Sequence, residues 1–93
     1  MRKIKQIVKE RDIACDQVWY DRHQVGMQKR YPKEKDPESR KAYQHGEKVA
    51  KKMEKKYGKK NLGPYDDFDW GKINGRLETL RWVLGDDWGN LDT

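Results

Sequence analysis

The chain has 93 residues, of which 33% are hydrophobic, and its 22 Lys and Arg outnumber its 16 Asp and Glu to give a net charge of +6. A chain this short with so few apolar residues supports one thin-cored domain over residues 1–93, stabilised by aromatic burial or by self-association. It contains no run of ~20 apolar residues for a membrane span, no signal-peptide pattern and a single cysteine, Cys15, so we expect a cytoplasmic protein with no membrane partner and no internal disulfide.

The residue pattern predicts an all-α fold, because Lys, Glu, Arg, Gln and Ala dominate and no strand-length alternation occurs. Proline and glycine divide the chain into a small three-helix bundle-like domain with helices at about residues 2–30, 36–57 and 66–84. Asp36 and Pro37 form a clear helix start, and Gly58 and Gly85 are candidate caps at the ends of the second and third helices. A short C-terminal helical turn or tail follows.

The first predicted helix carries two apolar stripes. The main stripe consists of Ile4, Ile7, Val8, Cys15, Val18 and Val25. A second stripe lies nearly opposite and consists of Ile13, Tyr20 and Met27. Two stripes imply two neighbours, either two helices of the same chain or one helix and a second copy. The second stripe is therefore the candidate surface for a homodimer.

The second predicted helix has an apolar face and a lysine face. The apolar face consists of Ser39, Ala42, Tyr43, Gly46, Val49, Ala50, Met53 and Tyr57. The lysines nearest the helix end, with the two that follow it, are Lys48, Lys51, Lys52, Lys55, Lys56, Lys59 and Lys60. Such a band suits nonspecific binding to nucleic-acid phosphates, although an ordinary solvated helix also has a polar face of this kind. Only Arg40 borders it, and arginine is the better base reader.

The third predicted helix has an apolar stripe and an aromatic residue that lies opposite it. The stripe consists of Ile73, Leu77, Leu80 and Leu84, with Trp70 at its edge. Trp82 shares the opposite face with Gly71, Gly75 and Glu78, and Arg81 is its neighbour in sequence. Glycines inside a helix cost about 1 kcal/mol each relative to alanine, so something is expected to approach this face closely.

Two interpretations of this face remain open. It is either a groove within the chain that receives Trp19, Tyr20 or Trp88, or a surface where Trp82 anchors another protein. The last residues, which include Trp88 and Leu91, are expected to form a helical turn or to fold back.

A possible reactive cluster occurs in the first helix, but its spacing argues against catalysis. The cluster consists of Cys15, Asp16, Tyr20, Asp21 and His23. Cys15 and His23 would lie about 12 Å apart along a helix, so they cannot form a nucleophile and base pair within one chain. No phosphate-binding loop, nucleophile motif or metal-binding motif is present, and we predict neither a cofactor nor an enzymatic activity.

The C-terminal block is similar to the ending of short uncharacterised proteins of bacteria and phages. The similarity is carried by Asn74-Gly75, Leu77, Leu80 to Gly85, the two acids that follow, Trp88 and Leu91-Asp92-Thr93, and it covers about 25 of 93 residues. The resemblance implies a small intracellular helical protein with no established activity, so it supplies no catalytic residues. The sequence therefore predicts a non-enzymatic binding or adaptor protein that acts through Trp82, with nonspecific nucleic-acid binding as the alternative.

Overall fold

The computed structural model describes residues 1–88 and contains three α-helices and no strand in that range. They are α1 (Ile4–Lys29), α2 (Pro37–Tyr57) and α3 (Asp67–Val83), with short 3-10 turns at Tyr31–Lys33 and Lys59–Asn61. The all-α prediction is confirmed, and every predicted helix boundary lies within two residues of the observed one. Within residues 1–88, no helix is both long and apolar enough to cross a membrane. Leu91, which is predicted to belong to the C-terminal turn or tail, lies outside the described residues.

The helices begin and end through local hydrogen bonds. The Asp36 carboxylate accepts the backbone N–H of Ser39 at 3.1 Å, and the Asp66 carboxylate accepts that of Asp69 at 2.8 Å. These carboxylates pair free N–H groups at the helix starts, where negative charge is also favourable. At the end of α2, Gly58 has a φ of 83° and donates its N–H to the carbonyl of Glu54. A side chain in that conformation would be strained, so glycine ends the helix there.

The chain divides into two compact units. Among the described residues, the terminal unit consists of Met1–Val18 and residues 65–88, and the central unit is Trp19–Pro64. The first part of α1 therefore belongs to the terminal unit and its second part to the central unit. The prediction of a single domain over residues 1–93 stays a prediction.

The core of the terminal unit is small and aliphatic. Its buried residues are Ala14, Val18, Ile73 and Leu77, with Tyr65 and Trp70 packed half-buried against them. Leu80 and Leu84 are half-buried further along α3. The apolar stripe predicted for the third helix is thus the side of α3 that faces the core.

The core of the central unit is built around aromatic residues. Its buried members are Tyr20, Ala50 and Leu62, and Trp19, Met53 and Tyr57 pack partly buried against them. Leu62 has no exposed surface, although it lies in the connection between α2 and α3. The loop that follows α2 therefore contributes its own core residue.

The main stripe predicted for the first helix is wrong at several positions. Ile4 is 73% exposed, and Cys15 and Val25 are also exposed. Val18 is buried as predicted, and the other buried residues of α1 lie off this stripe: Ala14, Tyr20, His23 and Gly26. The two predicted neighbours exist, but they contact successive lengths of the helix, so no single stripe describes its inward side.

The members of the second stripe of the first helix differ in burial. Tyr20 is buried within the central unit, whereas Ile13 and Met27 are half-buried. A contact between Tyr20 and a second copy would require the ring to leave its own core. Self-association remains a prediction, and on this side of α1 it rests on Ile13 and Met27.

Candidate functional site

The outer side of α3 exposes two aromatic rings and two glycines. Phe68, Gly75 and Trp82 are spaced by seven residues, so they fall on one line along the helix, with Gly71 beside it. Phe68 is 75% exposed, and Gly71 and Gly75 are exposed as well. We call this surface, together with Trp88, the aromatic face.

Trp88 folds back onto Trp82. The two indole rings stack with their centroids 5.1 Å apart and their planes at 11°. Of the three side chains expected near Trp82, Trp88 is the one that the structure places there. Yet Trp82 remains 50% exposed and Trp88 56% exposed, so each ring keeps about half of its surface in contact with solvent.

The two glycines of the aromatic face have open space above them. A Cβ atom at Gly71 or at Gly75 would meet no atom within 4 Å. The expected approach of a ring or a backbone to these glycines therefore does not occur within the described residues. Their helix-propensity cost of about 1 kcal/mol each is not offset by packing there.

Three acids lie close to the exposed indoles in sequence, and one lysine of the same helix, Lys72, lies over the Phe68 ring with its Nζ 5.9 Å from the ring centre. Glu78 is half-buried, Asp86 and Asp87 are exposed, and none of the three forms an ion pair within residues 1–88. The Arg81 guanidinium lies 4.0 Å from the Cys15 Sγ atom, so it extends toward α1. Arg81 thus neighbours Trp82 in sequence, but it is directed away from the aromatic face.

The second candidate surface is the lysine side of α2. Its members are exposed without exception: Lys48, Lys51, Lys52, Lys55, Lys56, Lys59 and Lys60. No exposed residue between positions 41 and 56 is acidic. At 100° per residue, the lysines from Lys41 to Lys56 occupy an arc of about 140°. We call the seven lysines from Lys48 to Lys60 the lysine surface.

The acids of α2 next to the lysine surface bond inward to α1. Glu47 Oε1 lies 2.8 Å from His23 Nε2, and Glu54 Oε2 accepts a 2.7 Å hydrogen bond from the Tyr20 hydroxyl. The other oxygen of Glu54 is 3.9 Å from Lys51 Nζ, a weak contact with the lysine surface. The carboxylates that could neutralise the lysines are therefore used mainly in the interior of the central unit.

Arg40, the one arginine that borders the lysine surface, has a structural role. Its guanidinium donates hydrogen bonds to the carbonyls of Tyr31 and Glu34 and to the Tyr31 hydroxyl. The same group lies 4.3 Å from the centre of the Tyr31 ring. These contacts hold the 3-10 turn at Tyr31–Lys33 against α2, which occupies the planar donors of Arg40 within the fold.

His23 is enclosed by the central unit. Its ring stacks on Trp19 with centroids 4.9 Å apart and planes at 6°, and its Nε2 contacts Glu47. A Cβ atom at Gly46 would lie only 2.7 Å from His23 Cε1, so glycine is what allows α2 to approach the ring. The imidazole is thus fixed on three sides.

Tyr20 is held in a similar way. Burial, and secondarily the hydrogen bond to Glu54, raises the pKa of the Tyr20 hydroxyl to about 12. The two aspartates of the possible reactive cluster, Asp16 and Asp21, also have interactions within the described chain. The structure thus gives Tyr20 and His23 separate carboxylate partners and does not assemble them into one site.

Sequence reasoning missed these two bonds between α1 and α2. A periodic pattern identifies apolar faces, and it has no means of pairing a histidine or a tyrosine with a distant glutamate. One signal was present, because Gly46 falls on the apolar face of the second helix, where a missing side chain indicates close approach.

Comparison with protein-family models, with curated proteins and with solved structures found no match for this chain. The resemblance of the C-terminal block to short bacterial and phage proteins stays a prediction. The chemistry of the two exposed surfaces is therefore the basis for assigning a function.

Proposed function

We propose that the chain is a non-enzymatic binding protein whose aromatic face on α3 binds another protein. The observation that carries this proposal is the Trp82 and Trp88 stack, in which both rings remain half exposed. Tryptophan is enriched at the few interface positions that supply most of the binding energy. Two adjacent half-exposed indoles are the chemistry expected of such an anchor.

The free energy available from covering this stack is substantial. A fully covered aromatic side chain buries about 150–250 Å², so the half-exposed pair leaves on the order of 200 Å² to be covered by a partner. At about 25 cal/mol per Å², this corresponds to about 5 kcal/mol before the entropic cost of association is subtracted. The open space above Gly71 and Gly75 would let a partner side chain lie directly against the helix backbone.

The surrounding charges define the chemistry of the partner. Glu78, Asp86 and Asp87 lie near the indoles in sequence without an ion pair inside residues 1–88. A partner that inserts an apolar group beside Trp82 and places basic groups at the edge would complement both features. We therefore propose a basic protein segment with an apolar anchor as the ligand of the aromatic face.

Substitution of Trp82 tests this proposal. A partner captured from a cell extract by the intact chain is purified, and its Kd is measured for the wild type and for Trp82→Ala. Loss of a hot-spot residue of about 2 kcal/mol corresponds to a Kd about 30-fold weaker. The control is Val83→Ala, because Val83 is an apolar residue of the same helix with the same 50% exposure and lies off the aromatic face.

Thermal unfolding of the same variants separates binding from folding. Trp82→Ala removes a stacking contact of about 0.5–1.5 kcal/mol and the buried half of a side chain that belongs to neither core, so the variant should stay folded. A loss of several kcal/mol would show instead that Trp82 is a packing residue. Equal Kd values for both variants and the wild type would also contradict the proposal. Light scattering identifies the remaining outcome, in which the partner is a second copy and association disappears with Trp82→Ala.

A further inference from the structure

We propose that the lysine surface of α2 is a second binding site, and that its ligand is the phosphate backbone of a nucleic acid. This site is on a different unit from the aromatic face and does not depend on the protein-binding proposal. Its basis is the way the central unit uses its charged residues. The two acids of α2 nearest the lysine surface, Glu47 and Glu54, bond to α1, and the lysines are left outside.

The lysine surface lacks the acids that normally accompany lysines on a solvated helix. Glu47 and Glu54 occupy the border between the buried and exposed sides of α2, where they could pair with lysines. They bond instead to His23 and to the Tyr20 hydroxyl at 2.8 and 2.7 Å. The contact of Lys51 with Glu54 at 3.9 Å is the only ion pair made by the surface within residues 1–88.

The lysines consequently repel one another. Lys48 and Lys52, Lys51 and Lys55, and Lys52 and Lys56 are each four residues apart, a spacing at which like charges destabilise a helix. A bound polyanion would relieve this repulsion, whereas a neutral ligand would not. The arrangement therefore favours a ligand that carries many negative charges in a row.

The dimensions of the surface suit a nucleic acid. Lys48 and Lys56 are about 12 Å apart along the helix axis at 1.5 Å per residue, and Lys59 and Lys60 extend the surface into the following turn. Duplex DNA presents one charge per ~1.7 Å of its axis, so several phosphates face a surface of this length. The surface contains no arginine, and the donors of Arg40 are already used, so we expect binding without base recognition.

Other polyanionic partners fit less well. A helix that lies on a membrane surface inserts its apolar face into the lipid, but the apolar side of α2 packs in the core of the central unit, where Ala50 is buried. Protein interfaces are depleted in lysine and have an apolar centre, which the lysine surface lacks. Nucleic acid needs neither an apolar face nor an apolar centre.

The test is a titration of the full chain against a short fluorescent DNA duplex and an RNA of mixed sequence, followed by anisotropy. If about six lysines contact phosphates, affinity should fall about 1,000-fold between about 50 and 200 mM salt. The triple variant Lys48/Lys52/Lys55→Gln should bind more weakly. Its plot of log K against log salt should be shallower by about 3, because three phosphate contacts are lost.

The matched control is Lys3/Lys5/Lys9→Gln, which removes the same charge from exposed residues of the terminal unit. Its plot of log K against log salt should keep the wild-type slope, because these three lysines are not among the proposed phosphate contacts. Circular dichroism and thermal unfolding confirm that each variant is folded before it is titrated.

Three results would overturn the proposal. One is the absence of binding to either nucleic acid at about 50 mM salt. Another is an equal loss of affinity in the two lysine triples, because net charge alone would then account for binding. The third is tighter binding to vesicles of anionic lipid than to DNA, with the same dependence on Lys48, Lys52 and Lys55, which would assign the surface to a membrane.

Discussion

The two units of the chain differ in what they keep inside. The terminal unit buries Ala14, Val18, Ile73 and Leu77, all of them aliphatic. The central unit buries an aromatic ring and a histidine, which form part-buried hydrogen bonds to carboxylates, together with Ala50 and Leu62. One core is small and aliphatic, and the other combines apolar packing with specific polar pairs.

The two units also differ in what they expose. The terminal unit leaves three aromatic residues on its surface: Phe68, Trp82 and Trp88. In the central unit, bonding of Glu47 and Glu54 to α1 leaves the lysines of α2 with little compensation. Each proposed binding surface is thus made of the residues that its own interior does not use.

Among the substitutions that test the difference between the two units, Leu62→Ala should have the largest effect on stability. Leu62 is fully buried in the central unit, so its truncation should lower the free energy of unfolding by about 2–5 kcal/mol. Urea unfolding followed by circular dichroism measures the change. The control is Phe68→Ala in the terminal unit, where a larger but exposed side chain should change stability by about 0.5 kcal/mol or less. Similar losses in the two variants would mean that Phe68 is packed as well.

The next largest effect is the loss of stability at alkaline pH that ionisation of Tyr20 should cause. The pKa of Tyr20 is about 12 in the folded chain, compared with about 10 for an ordinary tyrosine. Below about pH 10 the hydroxyl is protonated in both states, so its contribution to stability is fully present there. As pH rises from about 10 to 12 the unfolded state loses the proton first, and about 2–3 kcal/mol of stability should disappear.

Tyr20→Phe is the reference for this experiment. Lysines also lose their charge in this pH range, but they do so in both proteins, and their effect cancels in the difference between them. The wild type should therefore lose stability relative to Tyr20→Phe as pH rises from about 10 to 12. Parallel pH profiles would show that neither burial nor the hydrogen bond to Glu54 raises the pKa of the Tyr20 hydroxyl in the folded state.

The sequence predicted the helices well because their signals are local. Asp36 with Pro37, and Gly58 after Tyr57, define the ends of α2 through bonds to residues three or four positions away. The stripe that contains Ile73 and Leu77 repeats every turn, so one helix is enough to recognise it. The same rotation of 100° per residue places Trp82 away from this stripe.

Features that depend on residues distant in sequence could not be predicted in this way. The bonds of His23 to Glu47 and of Tyr20 to Glu54 join positions 24 and 34 residues apart. Leu62 is one apolar residue in a short connection, so no periodicity marks it as a core residue. The stack of Trp88 on Trp82 was one of several alternatives, and only the path of the chain after Gly85 selects it.

The smallest changes in stability are expected from two matched glycine substitutions, one of which should destabilise the chain while the other stabilises it. In Gly46→Ala the new Cβ would lie 2.7 Å from His23 Cε1, and the ring cannot move freely because it stacks on Trp19 and contacts Glu47. Overpacking of this kind typically destabilises by about 1–3 kcal/mol, part of which is offset by the better helix propensity of alanine.

In Gly75→Ala the new Cβ meets nothing within 4 Å, so only helix propensity acts, and stability should rise by about 0.5–1 kcal/mol. Thermal unfolding of the two variants at one pH measures both changes. A rise in both would show that α2 does not lie close to His23. Gly75→Ala could also raise stability and weaken partner binding. That result would explain why the chain keeps a destabilising glycine on the aromatic face, because a partner would approach the helix closely there.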